Sequence, residues 1–140
     1  MKKRVRKITV NDNIYFWNHT DSYNRNDDSY LTRFFFSPQN DKTIKVECFF
    51  KSRAHFYMGC HLNVGFLANK NGIETEININ QPAFVSDLIN YIIKNKVDFV
   101  KEKTYIFENA WTILDEMGYD LKSFKTPYVF THTTNEKGSG

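Results

Sequence analysis

The feature that most constrains the fold is a stripe of large apolar residues within residues 79–96, INQPAFVSDLINYIIKNK. The apolar residues recur in pairs every four positions, with polar residues between them: Phe84, Val85, Leu88, Ile89, Ile92 and Ile93. This period is typical of an α-helix with one apolar face. Pro82 suits the first turn of such a helix, with Asn80 or Gln81 as its cap. A helix of about 16 residues is about 24 Å long, so a sheet or a partner must cover a long apolar face.

Short runs of alternating apolar and polar residues precede this helix and predict five to six β-strands. The runs lie within residues 3–18 (two strands around a turn), 30–37, 43–51, 61–68 and 72–79. Asn71-Gly72 separates the last two runs and indicates a tight hairpin, because both residues accept a positive φ. Residues 18–29 are nearly all polar, and we expect them to form a loop. Strands joined by such turns pair with their chain neighbours, which predicts a single antiparallel sheet in a meander.

The end of the chain adds smaller elements. Residues 103–107, KTYIF, predict one more short strand, and residues 108–119, ENAWTILDEMGY, predict a short helix that ends at Gly118. We therefore predict an α+β fold in which one long and one short helix cover one face of the sheet. Residues 1–130 should form one domain. Residues 131–140 should form a disordered or added tail.

The positive charge is concentrated at the start of the chain. The 140 residues carry 19 cations and 16 acidic residues, for a net charge of +3. Five of the cations fall within the first seven residues: Lys2, Lys3, Arg4, Arg6 and Lys7. The remaining 14 cations face 16 acidic residues, a balance of −2. If the protein binds nucleic acid, this segment should contact phosphates while aromatic rings stack on bases.

The sequence also predicts where the protein resides. No apolar run approaches the ~20 residues that span a bilayer, and residues 1–20 lack the apolar core of a secretory signal. The two cysteines, Cys48 and Cys60, are too few for the disulfide framework of a small secreted domain. We therefore expect a cytoplasmic protein with reduced thiols and no membrane partner.

Four residues have side chains of the metal-ligand type, namely Cys48, His55, Cys60 and His61. Their spacing does not bring ligands in the close pairs of a structural zinc site. Adjacent Cys60 and His61 on a strand would also point to opposite faces. The sequence contains no signature of a cysteine nucleophile, a phosphate-binding glycine loop or an EF-hand. We therefore expect no metal, no cofactor and no catalytic residue, which indicates that the protein is not an enzyme.

Aromatic residues make up 16% of the chain, a high share. Three consecutive Phe residues on a strand cannot face one side, so Phe35 must point away from Phe34 and Phe36. If the helices cover one face only, rings on the other face form an apolar patch, which usually marks an interaction site or a dimer interface. We predict Tyr15, Trp17 and Phe35 as partner-binding residues. The alternative is that other parts of the chain cover these rings.

Two stretches resemble a group of small uncharacterised bacterial α+β proteins. The first is a basic strand, a turn and an aromatic strand, KKRVRKITVNDNIYFW. The second is a Pro-initiated amphipathic helix followed by an extended strand, INQPAFVSDLINYIIKN and KTYIF. The resemblance covers about a third of the chain and implies the α+β fold. No activity attaches to the group, so it implies no functional residue.

Three functions remain open at this point. The leading one is a small cytoplasmic protein that binds a protein partner, or a second copy of itself, through an exposed aromatic patch, as immunity, inhibitor and accessory proteins do. The alternative is a nucleic-acid-binding protein that uses the basic segment and the aromatic residues. The third is an enzyme with dispersed catalytic residues. The lack of a catalytic motif and the high aromatic share favour the first.

Overall fold

A computed structural model describes residues 5–53, 62 and 65–125. This part of the chain is an α+β structure with eight strands and two helices, so the predicted fold class is confirmed. In chain order the elements are β1 (Arg6–Val10), β2 (Asn13–Asn24), β3 (Ser29–Pro38), β4 (Lys45–Arg53), β5 (Phe66–Lys70), β6 (Ile73–Ile77), α1 (Pro82–Asn95), β7 (Thr104–Phe107), α2 (Trp111–Glu116) and β8 (Tyr119–Lys125).

The strands form two sheets, and the prediction of one meander is therefore only partly met. The first sheet has the order β1-β2-β3-β4-β7, in which β1 to β4 form an antiparallel meander and β7 joins β4 in parallel. The second sheet has the order β6-β5-β8 and is antiparallel. Turn signals reveal pairing between chain neighbours, whereas β7 and β8 pair with strands far away in the sequence. A parallel pair also requires a long crossover connection, which here includes α1.

The predicted loop over residues 18–29 is wrong. β2 continues to Asn24 and β3 begins at Ser29, so that the connecting turn spans only residues 25–28. Polar side chains do not end a strand when a neighbour completes its backbone hydrogen bonds. Here β3 pairs with β2 along its whole length, from Tyr15 opposite Pro38 to Asn24 opposite Ser29.

Helix α1 packs its apolar stripe against the rest of the protein. It has 14 residues, begins with Pro82 after Gln81 as N-cap, and buries Phe84, Val85, Leu88, Ile89 and Ile92. The ring of Phe84 lies 6.3 Å from that of Tyr119 in β8, and the helix also contacts β1. The prediction that the stripe faces the protein's own sheet is confirmed.

One core joins the two sheets. A single cluster of buried residues includes Phe34 of β3, Ile77 of β6, Leu88 of α1, Leu114 of α2 and Tyr119 of β8. Each of these side chains is at most 2% exposed. Both sheets and both helices of the described part therefore share one core, while the single domain over residues 1–130 stays a prediction. Neither α1 nor α2 is long and apolar enough to cross a membrane.

The tight turns lie where the sequence predicts them. Asn11 and Asp12 join β1 to β2 with positive φ angles of 51° and 68°, and Asn71 and Gly72 join β5 to β6 with φ angles of 52° and 87°. Two such residues in succession give the backbone twist that a two-residue hairpin needs. Helix α2 is shorter than predicted, because residues 108–110 form a turn before it. The predicted tail, residues 131–140, lies outside the described residues.

Candidate partner-binding surface

The strand β3 separates its aromatic residues onto two faces of the first sheet. Phe34 and Phe36 are buried, at 0% and 1% exposure, and their rings lie 6.0 Å apart in the core. Phe35, between them, points to the opposite side and is half-buried. The predicted divergence of these three rings is confirmed. We call the side of the five-stranded sheet that carries Phe35 the outer face.

Strand register brings further rings to this outer face. Phe16 of β2 lies opposite Ser37, the residue two positions from Phe35 in β3. Phe49 of β4 lies opposite Arg33, which is two positions from Phe35 on its other side. Phe16 and Phe49 are both half-buried, whereas their neighbour Phe50 is fully buried. The outer face therefore carries one aromatic ring from each of three adjacent strands.

Cationic side chains lie against two of these rings. The guanidinium carbon of Arg33 lies 4.3 Å from the centre of the Phe35 ring, and its Nη2 donates to Glu47 Oε2 at 2.7 Å. The ammonium groups of Lys7 and Lys42 lie 5.7 Å and 5.4 Å from the centre of the Phe16 ring. These distances are those of cation–π contacts. The outer face thus combines aromatic rings with positive charge.

A groove of about 520 Å³ runs over this face. Its described lining comes from β2, β3 and β4, together with Val5 and Lys42; it includes Phe16, Arg33, Phe35, Ser37, Lys45 and Glu47. The volume lies within the range of natural binding sites. Val5 is 52% exposed at one side, and Ile106 of the neighbouring strand β7 is 56% exposed. We call this groove the Phe35 groove.

Two of the three predicted partner-binding residues do not reach the groove. Tyr15 and Trp17 are 6% and 3% exposed and belong to the core. The ring of Tyr15 meets that of Phe36 at 5.9 Å, and that of Trp17 meets Phe34 at the same distance. Burial on the inner face corrects their placement in an exposed patch. Phe35 is the predicted residue that lies in the groove.

The groove also contains residues that sequence reasoning missed. Phe16 lies between Tyr15 and Trp17, so it had to face the side opposite to them. That alternation was a usable signal, although it does not say which side is the core. Lys42 and Lys45 follow the turn after β3, and no local pattern places them beside Phe16 and Phe35.

The basic segment is described in part. Lys2, Lys3 and Arg4 lie outside the described residues. Arg6 lies on the inner side of β1, with its guanidinium carbon 4.8 Å from the centre of the Trp17 ring and its Nη1 donating to Asn80 Oδ1 at 3.3 Å. Lys7 lies on the outer face beside Phe16. The strand alternation therefore sends the two described cations of this segment to opposite faces.

Three of the four residues with side chains of the metal-ligand type lie outside the described part of the chain. His55, Cys60 and His61 are not described, so the prediction concerning them stays a prediction. Cys48 is a free thiol that is 0% exposed in the core. Burial away from water, together with nearby Glu47, raises the pKa of Cys48 to about 12. A buried thiol with that pKa is protonated at neutral pH and inert as a nucleophile.

His19 is a buried polar side chain on the inner face, 5% exposed. Its Nε2 lies 3.0 Å from Asn80 Oδ1, and its Nδ1 lies 3.3 Å from Asp21 Oδ2. The hydroxyl of Thr32 donates to Asp21 Oδ1 at 2.7 Å. These contacts tie β2 to β3 and to the residue before the cap of α1. The signal for this arrangement was the spacing of His19 and Asp21, which places them on one side of a strand.

Comparisons with known proteins add no relative. No family model matches the chain, and neither the curated proteins nor the solved structures contain a match. The resemblance to small bacterial α+β proteins therefore stays a prediction. The geometry of the Phe35 groove is therefore the feature of the molecule that points to a function.

Proposed function

We propose that this is a small non-enzymatic protein that binds a protein partner through the outer face of its five-stranded sheet, in the manner of an immunity, inhibitor or accessory protein. The observation that carries the proposal is the Phe35 groove. It places half-buried aromatic rings, an exposed Val5 and a stacked arginine on one surface. Aromatic residues and arginine are the residues most enriched at the energetic centres of protein interfaces.

Two further observations support the same proposal. The described part of the Phe35 groove has no hydroxyl or thiol paired with a base. Its one carboxylate, Glu47, is engaged by Arg33 at 2.7 Å, and the Ser37 hydroxyl donates to the Ile44 carbonyl at 2.7 Å. The buried thiol of Cys48 is free, as expected for a protein of the reducing cytoplasm, where we place it. A homodimer through the same face is one form that the interaction could take.

A nucleic-acid-binding function is the second candidate, because lysine ammonium groups and aromatic rings share the groove. Such proteins stack bases on open ring faces. Here Arg33 already covers Phe35 and is held there by Glu47. A base would have to displace an ion-paired guanidinium from the ring, which favours the protein partner.

Site-specific cross-linking tests the proposal. Benzoylphenylalanine in place of Phe35 should give a discrete cross-linked product in the source cell. The same group in place of Val100, which is 95% exposed but does not line the groove, should not give that product. With the identified partner purified, Phe35→Ala should weaken binding by at least about tenfold, while the unchanged melting temperature of the variant excludes unfolding.

Three results would contradict the proposal. The first is the same set of products from both positions, and the second is unchanged affinity of the Phe35→Ala variant. The third is binding of single-stranded RNA or DNA at physiological salt that disappears when Lys2, Lys3, Arg4, Arg6 and Lys7 are changed to Gln. That last result would establish the second candidate, since phosphate contacts weaken steeply with salt.

A further inference from the structure

We propose that the Phe35 groove binds an acidic segment of a protein: an extended chain with Asp or Glu on one side of a large apolar residue. This inference rests on the proposed function and names the chemistry of the partner. It follows from the lysines with no described counter-charge, from the cations that lie against Phe16 and Phe35, and from the apolar side chains beside Phe35.

The lysines in and beside the groove have no described counter-charge. The lysine ion pairs of the described residues involve Lys51, Lys70, Lys96 and Lys103, each with a carboxylate within 4 Å. Within the same part of the chain, no carboxylate comes within that distance of Lys7, Lys42 or Lys45, and all three are exposed. These three cations are thus available to an outside anion. A carboxylate from a partner would find complementary charge here.

Two of these cations lie beside the same ring. Lys7 and Lys42 both place their ammonium groups within 6 Å of the centre of the Phe16 ring. Two positive charges beside one ring attract a partner carboxylate more strongly than one charge does. The position beside Phe16 is therefore the expected site for one carboxylate of the segment.

The other side of the groove is closed to a second anion. Glu47 neutralises Arg33, and the guanidinium plane covers Phe35. A polyanion that places a charge at every step would meet Glu47 there, which disfavours a nucleic-acid strand. An apolar side chain can instead lie against Phe35 and the 52% exposed Val5. The groove thus offers an apolar position with free positive charge on one side, which matches a peptide in which an acidic residue lies near an apolar one.

Selection from a display library of random dodecapeptides tests this inference on the immobilised full chain. We expect enrichment of Asp and Glu on one side of one Leu, Phe or Trp. Binding of a synthetic selected peptide should weaken about tenfold in the double variant Lys42→Glu and Lys45→Glu, because each reversal turns an attraction into a repulsion. The matched control is Lys94→Glu with Lys101→Glu, which makes the same charge change outside the groove lining and should bind normally.

The outcomes separate this inference from the proposed function. Selected peptides that are apolar without acidic residues, and that lose binding on Phe35→Ala, would overturn the acidic partner while the binding function stands. No peptide binding, together with no specific cross-link from position 35, would overturn both. Tight binding of a single-stranded oligonucleotide, or a stable dimer that Phe35→Ala dissociates, would replace the acidic segment with another occupant.

Discussion

Cys48 shows how the environment of one residue decides its chemistry. It lies on β4 with no exposed surface, and burial raises the pKa of its thiol to about 12. We predict that in a Cys60→Ser background the native protein does not react with a thiol reagent such as DTNB at mildly alkaline pH, because the thiolate is scarce and shielded. The same protein should react completely in concentrated guanidinium.

The rate of the native reaction is informative as well. Any slow labelling should proceed at the rate of opening, or at the population of the open state multiplied by the rate of a free thiol, and a destabilising core substitution should raise it. Rapid labelling of the native protein, at a rate close to that of a free thiol, would contradict the burial of Cys48.

The sequence predicts which residues of a strand lie on opposite sides of the sheet, but it does not predict which side is the core. The sequence shows that Phe35 opposes Phe34 and Phe36, and the alternation in Tyr15-Phe16-Trp17 shows the same for Phe16. It does not show which side of a strand is the core, because both sides carry large aromatic rings. The choice is settled by α1, whose apolar face lies on the side of Tyr15 and Trp17.

Helix α1 is the element whose packing the sequence predicts best. Leu88 is 0% exposed, so Leu88→Ala should lower the free energy of unfolding by about 2 to 5 kcal/mol through lost burial and the cavity left behind. Lys94→Ala, on the exposed side of the same helix, is the control and should change it by less than about 0.5 kcal/mol. Urea unfolding followed by circular dichroism measures both; equal effects would contradict the buried position of Leu88.

The turn between β3 and β4 is held by one carboxylate. Asp41 accepts hydrogen bonds from the Thr43 hydroxyl at 2.5 Å, the Thr43 backbone N–H at 3.0 Å and Lys103 Nζ at 3.0 Å. These contacts, with Thr43 the first cause, lower the pKa of Asp41 from 3.8 to about 2. Its contribution to stability is therefore complete above pH 3.8 and is lost as the pH falls through about 2.

We predict that Asp41→Asn flattens the loss of stability in acid. The urea midpoint of the wild type should fall further between pH 4 and pH 2 than that of the variant, because the variant has no proton to bind at this position. Thr43→Val, which removes one donor to the same carboxylate, should give an intermediate slope. Parallel curves for wild type and Asp41→Asn would show that the turn is not held in this way.

The sequence predicts those secondary-structure elements that depend on the conformational preferences of a few neighbouring residues. The turns at Asn11-Asp12 and Asn71-Gly72, the helix after Gln81 and the strand near Thr104 follow from conformational preferences of a few residues. The second sheet does not, because β8 reaches β5 across about 50 residues of intervening chain. The charges that gather beside Phe16 likewise come from β1 and from the turn after β3, which only the register of the sheet brings together.

The whole molecule should unfold as one unit, since a single core contains residues of both sheets. Trp17 reports on the first sheet, and Trp111, whose Nε1 donates to the Lys51 carbonyl at 2.9 Å, reports on α2. We predict that the single-tryptophan variants Trp111→Phe and Trp17→Phe each show one fluorescence transition that coincides with loss of circular dichroism. In either variant, a fluorescence midpoint that differs from the dichroism midpoint would show that the molecule does not unfold as one unit.

The parallel pairing of β7 with β4 has a consequence for synthesis on the ribosome. About 50 residues separate the end of β4 from the start of β7, and at ~5–20 residues per second they take about 3 to 10 seconds to emerge. During that interval the nascent hairpin of β3 and β4 carries an unpaired strand edge, which is a template for aggregation. Lys45, Glu47 and Lys51 alternate along β4 with its buried residues, and charges of this kind discourage the pairing of two nascent chains until β7 arrives.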